Sequence, residues 1–472
     1  MARVGVYNTG MTRCTSLLLA LAVAPLCAAQ SAPPSAVVDN TQLTQQLHAV
    51  LRDMVKSGSE DFYEAAALVL RATGDESAFL PLMEKAAASG SSAAQYWVAM
   101  RKLPFTGAEA SSMTEVTRLV DRAVNGKYSP ALVLASQLKA QTDAQTSRTL
   151  LMQACGMGNA KARALYLLQS GRLSAGNFTL PEIASELKKK NHYLEEIIAS
   201  LQTNEQESLK WMSAAMEHGS ATAPYILSQV VLQNETELEC LKRLKLAAER
   251  HNVMAMFLYG IALMSADQID CGIQANPEEG IRLIQIAAML GSPEAASQLA
   301  MYYALGKIEG VTVERIYKLF EYSHLCGLAE GTAGVGLCKV LGAGCKTDVD
   351  TGVQMMLTAR DKGALWVNQA LASVYYHGYH DLKPDMERTM NYLAADAAQD
   401  SVYAYAIAAG LSALGNTNTP PNPSMAEFYL KEALNRTPDY AAQIQRAYDA
   451  IIATKSWHFA PWLEKAVSAP RN

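Results

Sequence analysis

The sequence predicts an all-α protein, a right-handed α/α superhelical solenoid of helix-turn-helix repeats. Two observations carry that reading. Small residues recur down the chain at a 31–40-residue step, and apolar residues between them follow helical 3–4 spacing. The composition permits it: 50% of the residues are hydrophobic and only 18% charged, enough apolar surface for a large core.

With the small residue as position 0, a Gly often follows at +4 and a third residue closes the unit at +8. Ala86/Gly90/Ala94, Ala154/Gly158/Ala162, Ala215/Gly219/Ala223, Ala287/Gly291/Ala295, Ser323/Gly327/Gly331 and Ala359/Gly363/Val367 fit this frame. Degenerate copies stand at Ala123, Ala247, Ala395 and Ala433. The Gly at +4 is expected to end the second helix of each pair in a left-handed backbone. A further small residue stands five positions after +8, at Ala99, Ser136, Ser228, Gly260, Ala300, Gly336, Ala372 and Ala408. A small side chain there lets two helices approach closely. Stripes such as Ile281, Ile284, Ala287 and Ala288 mark buried faces that only a neighbouring unit completes.

The step from Ala154 to Ala215 is 61 residues, too long for one unit. It contains Pro181 followed by Ile183, Leu187, Leu194 and Ile198 on one helical face, which predicts one extra, inserted helix over about 181–202: a degenerate repeat or a brace over the stack, or, as a functional alternative, a site-specific protrusion.

The ends differ from the array. Met1 to Arg13 is polar and basic, Leu17 to Leu26 is apolar, and Cys27, Ala28 and Ala29 are small, the layout of a secretory signal peptide (1–29) cut after Ala29; Met11 is an alternative start. The apolar run is shorter than the roughly 20 residues of a membrane-spanning helix, and Pro25-Leu26 before Cys27 argues against a lipid anchor. The expectation is a periplasmic or secreted protein with no membrane span after cleavage. Loss of Arg3 and Arg13 would take the formal charge from −5 to about −7. Lys188-Lys189-Lys190 is the one basic run, so no stripe tracks phosphates and nucleic acid is not an expected partner. Residues 30–41 read as a flexible leader, 42–440 as the repeat solenoid, Gly415 to Ser424 as a loop within it, and 441–472 as a C-terminal capping segment closed by the Trp457-His-Phe-Ala-Pro-Trp462 cluster.

In its clearest unit, Ala370-Leu-Ala-Ser-Val-Tyr-Tyr-His-Gly378 followed by Asp385 to Ala395, the chain resembles the Sel-1-like repeats, relatives of the tetratricopeptide repeats. The resemblance spans roughly residues 50–440 and is strongest over 275–400; the family's Gly-Val turn is mostly missing. It implies a right-handed solenoid used as an interaction platform and, in the cysteine-rich branch of the family, β-lactamase-like or penicillin-binding activity.

Candidate chemistry was weighed against packing. Ser136-Gln-Leu-Lys139 matches Ser-x-x-Lys, yet Ser136 holds the small helix-contact position and no Ser-Asp-Asn or Lys-Thr-Gly companion follows. His377, His380 and Asp381 lack a third ligand in a recognised pattern, Glu321-x-x-His324 occurs once, and Gly334-x-Gly336 follows no strand, so no metal site and no cofactor are expected. Export permits disulfides among Cys155, Cys240, Cys271, Cys326, Cys338 and Cys345, with Cys240–Cys271 the preferred pair, Cys338–Cys345 a second, and Cys155 and Cys326 expected free. Tyr302, Tyr303, Tyr375 and Tyr376 fall at a core position of the repeat; one of each pair is expected in the core and the other, with His377, as a surface anchor for a partner.

The expected function is an exported scaffold for protein–protein or protein–peptide interaction in the bacterial cell envelope, not an enzyme. The alternatives are an envelope enzyme of β-lactamase-like or hydrolase type and a purely structural subunit of an envelope complex.

Overall fold

A computed structural model describes residues 40–103, 110–174, 178–230, 236–265, 273–398, 401 and 403–468. The expected signal peptide, most of the leader, and Cys271 lie outside the described residues. The described chain is helical throughout and forms two compact units, one ending at Ala295 and one beginning at Ala296.

Unit 1 begins with α1 (Asn40–Ser57), α2 (Tyr63–Thr73) and α3 (Phe79–Ala88). The repeats follow as α4 (Ser92–Lys102), α5 (Ala110–Asn125), α6 (Ser129–Lys139), α7 (Ala144–Gly156), α8 (Ala160–Gln169), α9 (Pro181–Lys188), α10 (His192–Leu201) and α11 (Glu205–Glu217). They continue with α12 (Thr222–Ser228), α13 (Glu237–Glu249), α14 (Val253–Ser265) and α15 (Pro277–Met289). The division between units falls inside α16 (Pro293–Ala304). Unit 2 contains α17 (Val313–Leu325), α18 (Ala329–Leu341), α19 (Val349–Asp361), α20 (Val367–His377), α21 (Met386–Ala397), α22 (Ala404–Leu414), α23 (Pro423–Arg436), α24 (Ala441–Thr454) and α25 (Pro461–Ser468). This is the all-α helical repeat solenoid that the spacing predicts.

One turn recurs at nine of the handovers from a second helix to the next first helix. The N–H at +5 donates to the carbonyl at position 0, over 3.0–3.3 Å, in Ser91→Ala86, Tyr128→Ala123, Asn159→Ala154, Asn191→Glu186, Ser220→Ala215, Asn252→Ala247, Ser292→Ala287, Leu328→Ser323 and Ala364→Ala359. This six-to-one bond needs a left-handed residue at +4. Glycine supplies it at Gly90, Gly158, Gly219, Gly291, Gly327 and Gly363, with φ between 86° and 102°. A Cβ at Gly90, Gly158, Gly219 or Gly363 would meet nothing, so the backbone conformation and not space selects glycine there. The +8 position also acquires a reason. In several turns the +5 residue is an N-cap whose side chain accepts the +8 N–H: Asn159 from Ala162 at 2.9 Å, Ser220 from Ala223 at 2.8 Å, Asn252 from Ala255 at 2.9 Å and Ser292 from Ala295 at 3.0 Å.

The same turn resolves the 61-residue step. The expected single helix over 181–202 is two helices, α9 and α10, broken at Lys189–Asn191, with Glu186 at position 0, Lys190 at +4 and φ 57°, and Asn191 at +5. The insertion is therefore a repeat, the degenerate-unit reading, and Ile183, Leu194 and Ile198 are buried together with Ala164 and Leu167 of α8. Near Ala395 the bond moves by one residue, Ser401 donating to Asp396 at 3.4 Å.

Glycines also set how closely helices pack. A Cβ on Gly336 would lie 2.6 Å from the Gly352 carbonyl, and one on Gly352 would lie 2.6 Å from the Gly336 carbonyl, so α18 and α19 meet backbone to backbone. Gly260 and Gly280 repeat this between α14 and α15. At the corresponding place on α6, Ser136 is fully buried and its Oγ lies 2.8 Å from Ser147 Oγ of α7. No helix among the described residues is long and apolar enough to cross a membrane.

Gly336→Ala should cost about 1–3 kcal/mol, because backbone on both sides must move; chemical denaturation measures it. Lys127 stands at +4 with φ 58°, so Lys127→Gly should raise stability by up to about 1 kcal/mol, whereas Gly363→Ala should lower it by about 1–2 kcal/mol.

Candidate inner face of unit 1 and histidine cluster of unit 2

The link between α1 and α2 is a non-helical stretch turned by the Asp61 N–H on Ser59 Oγ and the Tyr63 N–H on Asp61 Oδ1, and side chains from six places in the chain surround it. Tyr128 donates its hydroxyl to the Ser59 carbonyl. Glu60 accepts from Lys161 Nζ at 2.7 Å and from the Tyr96 hydroxyl at 3.3 Å. Asp61 Oδ2 lies 2.5 Å from His251 Nδ1, and the His251 ring stacks on Tyr63 at 3.8 Å and 4°. Arg282 donates to the Tyr63 hydroxyl at 3.1 Å while both its other nitrogens are held by Glu279 at 2.6 Å. Tyr193 lies close enough for Glu60 to hinder its ionisation and receives Lys161 over its ring at 5.9 Å. Groups from α4, α8, α10, α15 and two inter-helix turns can converge on five residues only if the repeats of unit 1 curve round them. The start and end of the unit meet accordingly: Gln285 donates to Glu76 at 3.2 Å, and Arg101 to the Ala288 carbonyl at 3.3 Å.

The electrostatics suit donation toward the segment. Burial, and then the Glu60 carboxylate, push the Tyr96 and Tyr128 phenols well above their usual range, and Tyr193 up to about 12. These hydroxyls therefore keep their protons. Beyond Tyr63 opens a cleft of about 420 Å³ lined by Lys245, Glu249, His251, Tyr259, Asn276, Glu279 and Arg282 among others.

In unit 2 the C-terminal segment plays a comparable part. α24 covers α22 as a cap would, with Ile451 packed among Ala408 and Leu411. Residues 457–464 instead return to α20. The Trp457 carbonyl accepts from His377 Nε2 at 2.7 Å, the Phe459 N–H donates to Ser373 Oγ at 3.2 Å, and Phe459 stacks on Trp366 at 5.4 Å. His377 and His458 lie parallel, 4.2 Å apart. His458 Nδ1 is 2.5 Å from Glu464 Oε2, which also accepts from the Tyr379 hydroxyl, and Glu464 Oε1 accepts from the Ala460 N–H at 3.1 Å.

His377, His458 and Glu464 bring three donor atoms within 4.8 Å of one another, a grouping that the sequence expectation of no metal site did not foresee. Two parallel stacked rings do not aim their in-plane lone pairs at one point, and Glu464 already accepts three hydrogen bonds. The arrangement is a hydrogen-bonded clamp on the C-terminal segment.

The other expected site residues are placed as follows. Tyr302, Tyr303, Tyr375 and Tyr376 are all buried, so the expectation that one of each pair projects outward does not hold. The repeat uses the tyrosine at +16 of each pair, Tyr303 and Tyr375, differently. Tyr303 receives Arg315 over its ring and at its hydroxyl (3.2 Å), and Tyr375 receives Arg388 in the same way (3.1 Å). Tyr376 donates to the Gly415 carbonyl at 2.7 Å. Tyr375 lines a cleft of about 410 Å³ together with Arg360, Arg388, Asn391 and Tyr392. Cys338 and Cys345 are separate thiols, Cys338 fully buried and both pushed up, mainly by burial. Cys240 is buried on α13, and its expected partner Cys271 lies outside the described residues. Ser136 is a packing residue of the α6–α7 contact, bonded to Ser147 and remote from solvent, where the Ser-x-x-Lys chemistry would need it exposed.

The fold and these inner faces define an all-α helical-repeat protein. No family model matches the chain, and no curated protein matches it. Among solved structures it is similar to c5321, a protective antigen of uropathogenic Escherichia coli strains displaying an SLR fold (15% identity, 88% of each chain, TM-score 0.39). It is also similar to a Sel1 repeat protein from Oxalobacter formigenes (18% identity, 52% of this chain and 100% of that one, TM-score 0.37) and to immunity protein Pa5087 from Pseudomonas aeruginosa (16% identity, 53% and 88%, TM-score 0.29).

The clamp has a defined pH response. Burial, with His458 alongside, lowers His377 below the ordinary imidazole value, and the hydrogen bond that His458 donates to Glu464 raises His458 above it. The contribution of His377 is present above about pH 6.5 and is lost as pH falls through its lowered value. That of His458 is full below about pH 6.5 and is lost as pH rises through its raised value. Protease cleavage between α24 and α25 should therefore be slowest near pH 6–7 and faster on both sides. His377→Asn should remove the acid-side acceleration and leave the alkaline one.

Proposed function

We propose that this chain is a non-catalytic scaffold whose repeat faces hold an extended segment of another protein, and that it works outside the cytoplasm, in the cell envelope. The observation that carries the reading is the inner face of unit 1, which grips a short non-helical stretch of polypeptide through its backbone and side chains together. Tyr128 takes a main-chain carbonyl, while Tyr96, Lys161, His251 and Arg282 read successive side chains. Repeat arrays present such continuous surfaces because each unit contributes one equivalent patch. Ser136, buried and hydrogen-bonded to Ser147, does not support the Ser-x-x-Lys route of the enzyme reading. The apolar run and small residues before Gln30 support export.

Crosslinking in the native envelope, followed by identification of attached chains, tests this. A reproducible protein partner attached through unit 1 or unit 2 is expected, together with a mature N-terminus at Gln30. A cytoplasmic chain that begins at Met1, or the absence of any reproducible partner, would contradict it.

A further inference from the structure

We propose that the inner face of unit 1 is a lane for an acidic segment of the partner, paired carboxylates followed by aromatic residues, and that residues 59–63 occupy it until such a segment displaces them. This deepens the scaffold reading and rests on it.

The lane is built from donors in an order that matches Ser59-Glu-Asp-Phe-Tyr63. Tyr128 binds the backbone, Tyr96 and Lys161 take the first carboxylate, His251 takes the second, and His251 and Arg282 receive the aromatic residue. Glu279 neutralises Arg282, and Glu249 stands near Lys245, so the far end favours a polar aromatic group over a third charge.

His251 adds an independent observation. It occupies the +4 position, where six other turns place glycine, and it holds φ 62°. A non-glycine residue there costs about 1–2 kcal/mol of backbone strain. Lys127 and Lys190 bear the same conformation at +4 in their turns; what His251 adds is its contact with Asp61 and Tyr63.

The polar contacts of the segment are open to water, while Phe62 between them is buried against Tyr96. The side chains of Glu60 and Lys161 are 31% and 35% exposed, and those of Asp61 and His251 are 47% and 27% exposed. Ion pairs this open to water are each worth about 1 kcal/mol or less, so a segment of the same chemistry can replace them one at a time. The cleft beyond Tyr63 gives an incoming segment room that the resident one leaves unfilled.

The test uses the full chain and a fluorescein-labelled, end-blocked peptide Gly-Ser-Glu-Asp-Phe-Tyr-Glu, with a Gln/Asn counterpart in which its Glu and Asp residues are amidated, followed by anisotropy. The Glu60→Gln/Asp61→Asn chain should bind the acidic probe about tenfold more tightly than the unaltered chain does, because its lane is vacant more of the time. It should also prefer the acidic probe to the amidated one, and a further Lys161→Ala should abolish that preference. Equal binding of both probes, or indifference to Lys161→Ala, would overturn the proposal.

Should the doubly substituted chain fail to fold, hydrogen exchange on the unaltered chain decides the matter. Saturating acidic probe must accelerate exchange at residues 59–63, and unchanged exchange refutes displacement. The two readings fail separately. A partner that still crosslinks in the envelope after Lys161→Ala removes the lane and leaves the scaffold standing; no partner at all removes the scaffold.

Discussion

The bond from the +5 N–H to the carbonyl at position 0 is the constraint from which the rest of the array follows. It closes the end of one helix, forces the +4 residue into the left-handed region, and leaves the +5 side chain free to cap the next helix. Because both helix ends are satisfied within six residues, each such handover repeats one local geometry. Repetition of that turn carries the chain of unit 1 round its own α1–α2 link. The close glycine contacts at Gly336–Gly352 and Gly260–Gly280 then set the spacing within pairs. Turn and spacing together decide which side chains reach the middle.

What reaches the middle is not more core. In unit 1 it is a row of hydroxyl, ammonium and imidazole donors round two carboxylates, and in unit 2 it is a histidine–glutamate clamp on a returning C-terminal segment. In both units a terminal part of the chain is treated as a ligand. Burial keeps the tyrosine protons in place, and partial exposure keeps the charged contacts weak enough to exchange.

Most of the fold was legible because its constraint is local. Glycine at +4 and small residues at 0 and +13 announce themselves at fixed spacing. The repeat at Glu186 escaped because a charged residue stands at position 0 and Lys190 replaces the glycine; Asn191 at +5 with Leu194 at +8 was the surviving signal, and the capping role of +5 is visible only once the turn is seen. The tyrosine pairs were assigned to the right position and the wrong exposure, since an arginine about one turn into the following helix covers Tyr303 in one pair and Tyr375 in the other. The inner face was beyond reach of spacing arguments. Its contacts join residues 101, 190 and 219 positions apart, and those of the clamp join residues 80 apart. Glu60 and Asp61 look like ordinary loop acids until the curvature of the array brings Lys161 and His251 to them.

The central claim is that the repeats of unit 1 close on Glu60 through Lys161. A double-mutant cycle on global unfolding, Glu60→Gln with Lys161→Met, measures that link directly because the two residues share no neighbouring sequence. The account predicts a favourable coupling of about 0.5–1 kcal/mol that shrinks in high salt. Additive effects of the two substitutions at low salt would contradict it.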